Sequence, residues 1–153
     1  MGWKMTTPMS EINAAIQAEA KRVEKLTIRT LSYLGEQCVI EAKDRPQTAS
    51  WFDQSGNLRS SIGYVIVAHG RIVQYSDFNL VKQGSEGVKE GRELAEELAR
   101  KYSGGYALIV VAGMNYAELV EAMDSKVVLA SAELYARQEL PSMMTKLRTQ
   151  IAA

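Results

Sequence analysis

The feature that most constrains this chain is a long helical repeat near its N-terminus that is apolar on more than one side. Thr7 followed by Pro8 reads as an N-cap and first helical position, because proline's missing N–H falls where a helix has no use for one. Ile12, Ile16, Val23, Leu26, Thr30, Tyr33 and Leu34 then share one side of a 3.6-residue wheel. The pattern runs to about Lys43, where Arg45-Pro46 stops it. Ile28, Leu31 and Val39 lie on the other side, so the second half of this helix wants two covers, one of them expected from another subunit.

Downstream the pattern changes. Pro46 to Asn57 reads as an ordered loop pinned by Trp51 and Phe52. Ile62 to Ala68 is β-branched and apolar on both faces, His69-Gly70 suits a two-residue turn, and Arg71 to Tyr75 returns as the second strand of a hairpin. Asp77 to Gly91 carries three glycines and several charges, which predicts an exposed, mobile segment outside the core. Leu94, Ala95, Leu98 and Tyr102 share a helical face between Glu90 and Tyr102, with Glu96/Arg100 and Glu97/Lys101 as i,i+4 pairs and Gly104-Gly105 as the stop. Tyr106 to Ala112 reads as a central strand buried on both faces. Asn115 can cap a short helix through Glu121, and Val127 to Leu129 is at most an edge strand. Ala130 to Leu140 is helical, Pro141 kinks or restarts that helix, and Met144, Leu147 and Ile151 carry it on. The expected fold class is α+β: a long N-terminal helix on a small, mainly antiparallel sheet with a β-hairpin, further helices and a C-terminal helix, in one domain over 1–153.

Composition narrows the function classes. Eighteen basic side chains balance eighteen acidic ones, interleaved rather than clustered, so no field recruits a specific nucleic acid or an anionic membrane surface. Met1 to Met9 lacks a basic and an apolar signal region, and no run approaches the roughly 18 apolar residues of a membrane span, so an unexported cytoplasmic protein is expected. Cys38 stands alone, which excludes an internal disulfide and a multi-thiolate zinc site.

Chemistry-bearing residues are sparse. His69 is the lone histidine and falls in the hairpin turn, so a triad or multi-histidine metal site cannot be built. Cys38 has no histidine beside it in sequence and reads as a small core residue. Gly84, Gly87 and Gly91 resemble a phosphate-cradling spacing, yet no Lys-Ser or Lys-Thr pair follows. Asp53, Glu118, Glu121 and Asp124 read as solvated carboxylates and caps. Gly113 ahead of Asn115 is closer to an anion-binding turn, and a small ligand-binding domain or enzyme with its site there is the alternative function. A bacterial regulatory partner protein is a third possibility.

Two segments carry a resemblance. DQSGNLRSSIGY, Asp53 to Tyr64, and GMNYAELVE, Gly113 to Glu121, each beside an apolar strand, resemble the paired signatures of the phage tail-completion family, also described as neck or head-to-tail joining proteins. With the long helix in front and a closing helix behind, the likeness spans about Ile12 to Leu147. Where that family often continues with Gly-Thr and a proline-aromatic strand, this chain reads Ala122-Met123-Asp124-Ser125-Lys126 and then Val127-Val128-Leu129, so a rebuilt C-terminal edge is expected.

The resemblance implies a non-enzymatic subunit that assembles as a ring-type homo-oligomer, from a free monomer, between phage connector and tail-tube proteins. It implies no cofactor, no metal and no membrane partner, with the protein in the bacterial cytoplasm during assembly and then in the neck or tail of the virion. Its motif positions are Gly56, Asn57, Leu58, Arg59, Ser60, Tyr116, Ala117, Val120 and Glu121. Gly56 should permit a φ > 0 turn, Asn57 should bond its own backbone, Leu58 and Ile62 should anchor the following strand, and Arg59 should point outward.

Overall fold

The computed structural model describes residues 2–4, 6–44, 56–79, 81–114 and 128–153. The loop around Trp51 and Phe52, and the second signature from Asn115 to Glu121 with Tyr116, Ala117 and Val120, lie outside the described residues.

Helix α1 spans Met9–Lys43, 35 residues. It starts one residue later than the Thr7-Pro8 pattern predicts: Pro8 is the capping residue, and its carbonyl accepts from Glu11 and Ile12. The short helix α2, Asn57–Ser60, leads into β1, Ile62–Ala68, and β2, Arg71–Tyr75. Helix α3, Ser85–Ala99, precedes β3, Tyr106–Ala112, and α4, Ala130–Ala152, closes the order. The α+β class is therefore as expected.

The strands form one antiparallel sheet in the order β2-β1-β3. Every residue of β1 is buried because both of its faces are covered. Ile62, Tyr64 and Ile66 face α1, where Leu31, Leu34 and Cys38 lie; Val65 and Val67 face α3, packing with Ala95 and Ala99. Burying such a strand on two sides contributes roughly 25 cal/mol for each Å² of apolar area. The hairpin closes as predicted: His69 and Gly70 have φ of 51° and 83°, the two positive angles a type I′ turn requires. Ile66 pairs with Gln74 but Val67 pairs with Ile72, so Val73 is an extra residue. That bulge lets Gln74 face α1 while Ile72 joins the α3 side.

Several expectations change. Tyr106 to Ala112 is only partly buried, with Ile109 and Val111 buried and Tyr106 exposed, and among the described residues it pairs with β1 alone, so that β1 is the central strand. A continuous apolar run does not by itself report a position in the hydrogen-bond order. Asp77 to Gly91 is not wholly an exposed loop: Phe78 is 3% exposed, and α3 begins at Ser85 rather than Glu90. Of the two alternatives at Pro141, a kink or a restart, the restart does not occur, because α4 runs through it. Val128 and Leu129 form a bend rather than a strand.

Helix α4 packs antiparallel on α1, since Cys38 Sγ donates to the carbonyl of Ala132 near its start while Arg22 donates to Ile151 at its end. The outcome is layered: α4 on α1, α1 on the sheet, and α3 on the sheet's far side.

Candidate assembly surfaces

The first signature lies where the layers meet. Gly56 has φ 82°, and a Cβ there would run into the carbonyl oxygen of Val81, so its predicted need for positive φ is met and sharpened by contact. Leu58 and Ile62 are buried, as expected of anchors. Asn57 and Arg59 do something other than expected. Asn57 Oδ1 accepts from the N–H of Gly87 at 3.1 Å, capping the first turn of α3 across thirty residues of sequence. Arg59 does not simply point outward; its Nε donates to the carbonyl of Lys43 at 3.3 Å, at the C-terminus of α1 where carbonyls lack helical partners. Ser60 Oγ accepts from Val81 N at 2.8 Å, and Ser61 O accepts from Gly113 N at 3.2 Å.

The glycines explain themselves on the same scaffold. Gly84, Gly87 and Gly91 fall at i, i+3 and i+7 around α3, and a Cβ on any of them would collide with Gly56, Asn57 or Ser61. They let the α2 turn sit against the helix backbone, so they do not form a phosphate cradle. Their helical spacing was the available signal; reading glycine as flexibility hid it. Gly113 meets Gly91 the same way, with the Gly91 backbone occupying the space a side chain would take. Asn115, the other residue of that candidate ligand site, lies outside the described residues, as do Asp53, Glu118, Glu121 and Asp124.

Between α1 and the sheet sits a polar cluster. The Tyr64 hydroxyl donates to Glu36 Oε1 at 2.9 Å and lies 3.0 Å from Ser32 Oγ, and Gln74 Nε2 donates to Ser32. Burial, more than these neighbours, pushes the Tyr64 phenol above its ordinary range. Gly35 leaves room for the Tyr64 ring. Cys38 is buried in the core, and desolvation, assisted by Glu41, raises its thiol; that opposes thiolate formation and agrees with a packing role. His69 occupies the turn edge-on to Tyr106, with ring centroids 5.2 Å apart. Among the described residues, no group of three or more His, Cys, Asp or Glu is placed to hold a metal ion. No helix there is long and apolar enough to cross a membrane.

Among the described residues, apolar surface is left exposed in several places. A cleft of about 520 Å³ opens between α1, β3 and α4, lined by Leu31, Leu34, Tyr106, Leu108, Leu140 and Met144. On the far end of the molecule the first turns of α1 carry Met9 and Ile16, 58% and 62% exposed. Tyr33 is also largely exposed while Leu31 is buried, because the covered arc follows Leu31, Leu34, Cys38 and Ala42.

The fold and these surfaces define a layered α+β protein with an uncovered helical end. No family model matches the chain, and no curated protein or solved structure matches it either.

Proposed function

We propose that this chain is a structural, non-enzymatic subunit of a tailed phage or prophage virion, joining head to tail or completing the tail as a ring-type homo-oligomer. It would be made in the bacterial cytoplasm and end in the neck or tail, between connector and tail-tube proteins. The observation that carries the reading is the first signature: Gly56 to Ser61 caps α1 and α3 and launches the buried central strand, the kind of role expected of a fold-defining motif. The element order agrees with the resemblance too, with a long helix before that motif and a closing helix after β3.

The test is direct. The purified chain is mixed with the connector and tail-tube proteins encoded in its gene neighbourhood, and masses are measured by light scattering after size exclusion. Co-elution in ring-sized species is expected. A chain that ignores both partners at every concentration overturns the proposal.

A further inference from the structure

We infer that the outward face of α1, centred on Tyr33 and flanked by α4, binds the same face of a second copy of this chain, with the two α1 helices antiparallel. A contact of one patch with itself closes at two copies. It makes the free chain a dimer rather than the monomer that the resemblance implies, and it needs neither the ring nor the tail-tube partner.

Helix α1 turns Leu31, Leu34, Cys38 and Ala42 to the core. Half a turn round the helix, Leu26, Arg29, Tyr33, Gln37 and Ile40 follow one another at steps of three and four, which is one stripe at helical spacing. Tyr33 and Ile40 are 58% and 47% exposed, while Leu26 and Gln37 are half-buried. A groove of about 240 Å³ runs between this stripe and α4, lined by Arg29, Tyr33, Met143 and Lys146.

The charges on this face identify its occupant. Lys25 and Arg29 stand toward the N-terminal end of the face, with Lys146 across the groove. Neither Arg29 nor Lys146 forms an ion pair among the described residues. Toward the other end stand Glu36, Glu41 and Asp44 of α1, and Glu139 of α4 near Tyr135. The remaining charges nearby are engaged or turned away. Glu19 pairs with Arg22 and Glu133 with Arg137, Glu24 lies on the hairpin side beside Tyr106, and Lys43 is half-buried.

A face that is basic at one end and acidic at the other matches a copy of itself when that copy is turned end for end. A two-fold axis at Tyr33 does this. Leu26 then comes level with Ile40 of the second copy, and Arg29 with its Gln37 and Glu36. Tyr33 meets its equivalent on the axis, where two rings can stack. Glu36 accepts from Tyr64 through Oε1, so Oε2 is left for the incoming guanidinium. A parallel pairing would instead set Arg29 on Arg29 and Glu36 on Glu36. Residues 22–44 run about 33 Å at 1.5 Å per residue, and two helices side by side are roughly 20 Å wide. That footprint is on the order of the 800 Å² per partner of a standard interface.

Light scattering on the chain alone, across a concentration series, should reach twice the monomer mass. Tyr33→Glu puts two like charges on the axis from an exposed position, so this variant should be monomeric while circular dichroism shows it folded. Arg29→Glu should weaken the dimer about tenfold, and adding Glu36→Arg to the same chain should recover it, because the charges are then exchanged rather than lost. Tyr33→Cys should cross-link to itself under mild oxidation, whereas Ile16→Cys, exposed but outside the face, should not. A chain that is monomeric at every concentration, a folded Tyr33→Glu chain that still dimerises, or a Tyr33→Cys chain that cross-links no better than Ile16→Cys overturns the inference. Connector and tail-tube proteins are absent from all of these measurements, so failure here leaves the phage reading to its own test.

Discussion

Arg59 and Gly56 show how single residues hold this fold together. The Arg59 guanidinium sits against the last carbonyl of α1, where the helix dipole and the lack of helical donors both favour a cation. Arg59→Ala should cost about 1 kcal/mol of stability in urea denaturation. Arg59→Lys should restore only part of it, since a lysine lacks the planar fork. Unchanged stability in the alanine variant would remove the capping role. Gly56→Ala should cost about 2 kcal/mol or more, because a Cβ meets both an unfavourable φ and the Val81 carbonyl. A variant as stable as the parent would show that the turn can relax. The sequence made Gly56, Leu58 and Ile62 legible, because a turn glycine and apolar anchors follow local rules. It did not disclose Asn57 and Arg59 as caps, since their partners Gly87 and Lys43 are remote in sequence.

At the scale of elements, the ends of three helices are served by side chains from elsewhere: Asn57 for α3, Arg59 for α1 and Arg22 for α4. None of these helices has a local side-chain cap. Capping rules read from sequence look within a few residues and so place Thr7 as a cap while missing all three. The glycine-rich segment is the larger correction: helix packing against the α2 turn, not freedom, accounts for Gly84, Gly87 and Gly91. Amide hydrogen exchange on the unassembled protein should therefore divide α1 and protect α3. Amides over residues 9–21 should exchange early, whereas those of Leu31 to Ala42, and Val88 to Ala99 in α3, should be slow. Rapid exchange across Val88 to Ala99 would restore the mobile-segment expectation.

For the whole molecule, burial of ionisable groups links stability to pH. Cys38 and Tyr64 both have their charged forms disfavoured by desolvation, so the folded chain keeps these protons to higher pH than the unfolded chain does. Stability present below the unfolded values, roughly pH 8.5 for a thiol and 10 for a phenol, is then lost as pH rises through the folded ones. Urea midpoints should fall on going from neutral to strongly alkaline buffer, and Cys38→Ser should reduce the part of the fall that begins first. Midpoints flat up to pH 10 would mean that the Cys38 thiol is not held protonated, and midpoints still flat well above pH 10 would mean the same for the Tyr64 phenol. The whole molecule also shows where sequence stops. The long helix, the hairpin with its His69-Gly70 turn, the doubly buried first strand and the helical C-terminus are all short-range consequences of periodicity and turn chemistry, and the chain determines them by itself. The order β2-β1-β3, the caps supplied across layers, and the arc of α1 left uncovered beyond Arg22 were decided only by the tertiary structure. The physical reason is that propensity and patterning act over a turn or two of chain, whereas strand order and helix-end partners depend on which remote segments pack together.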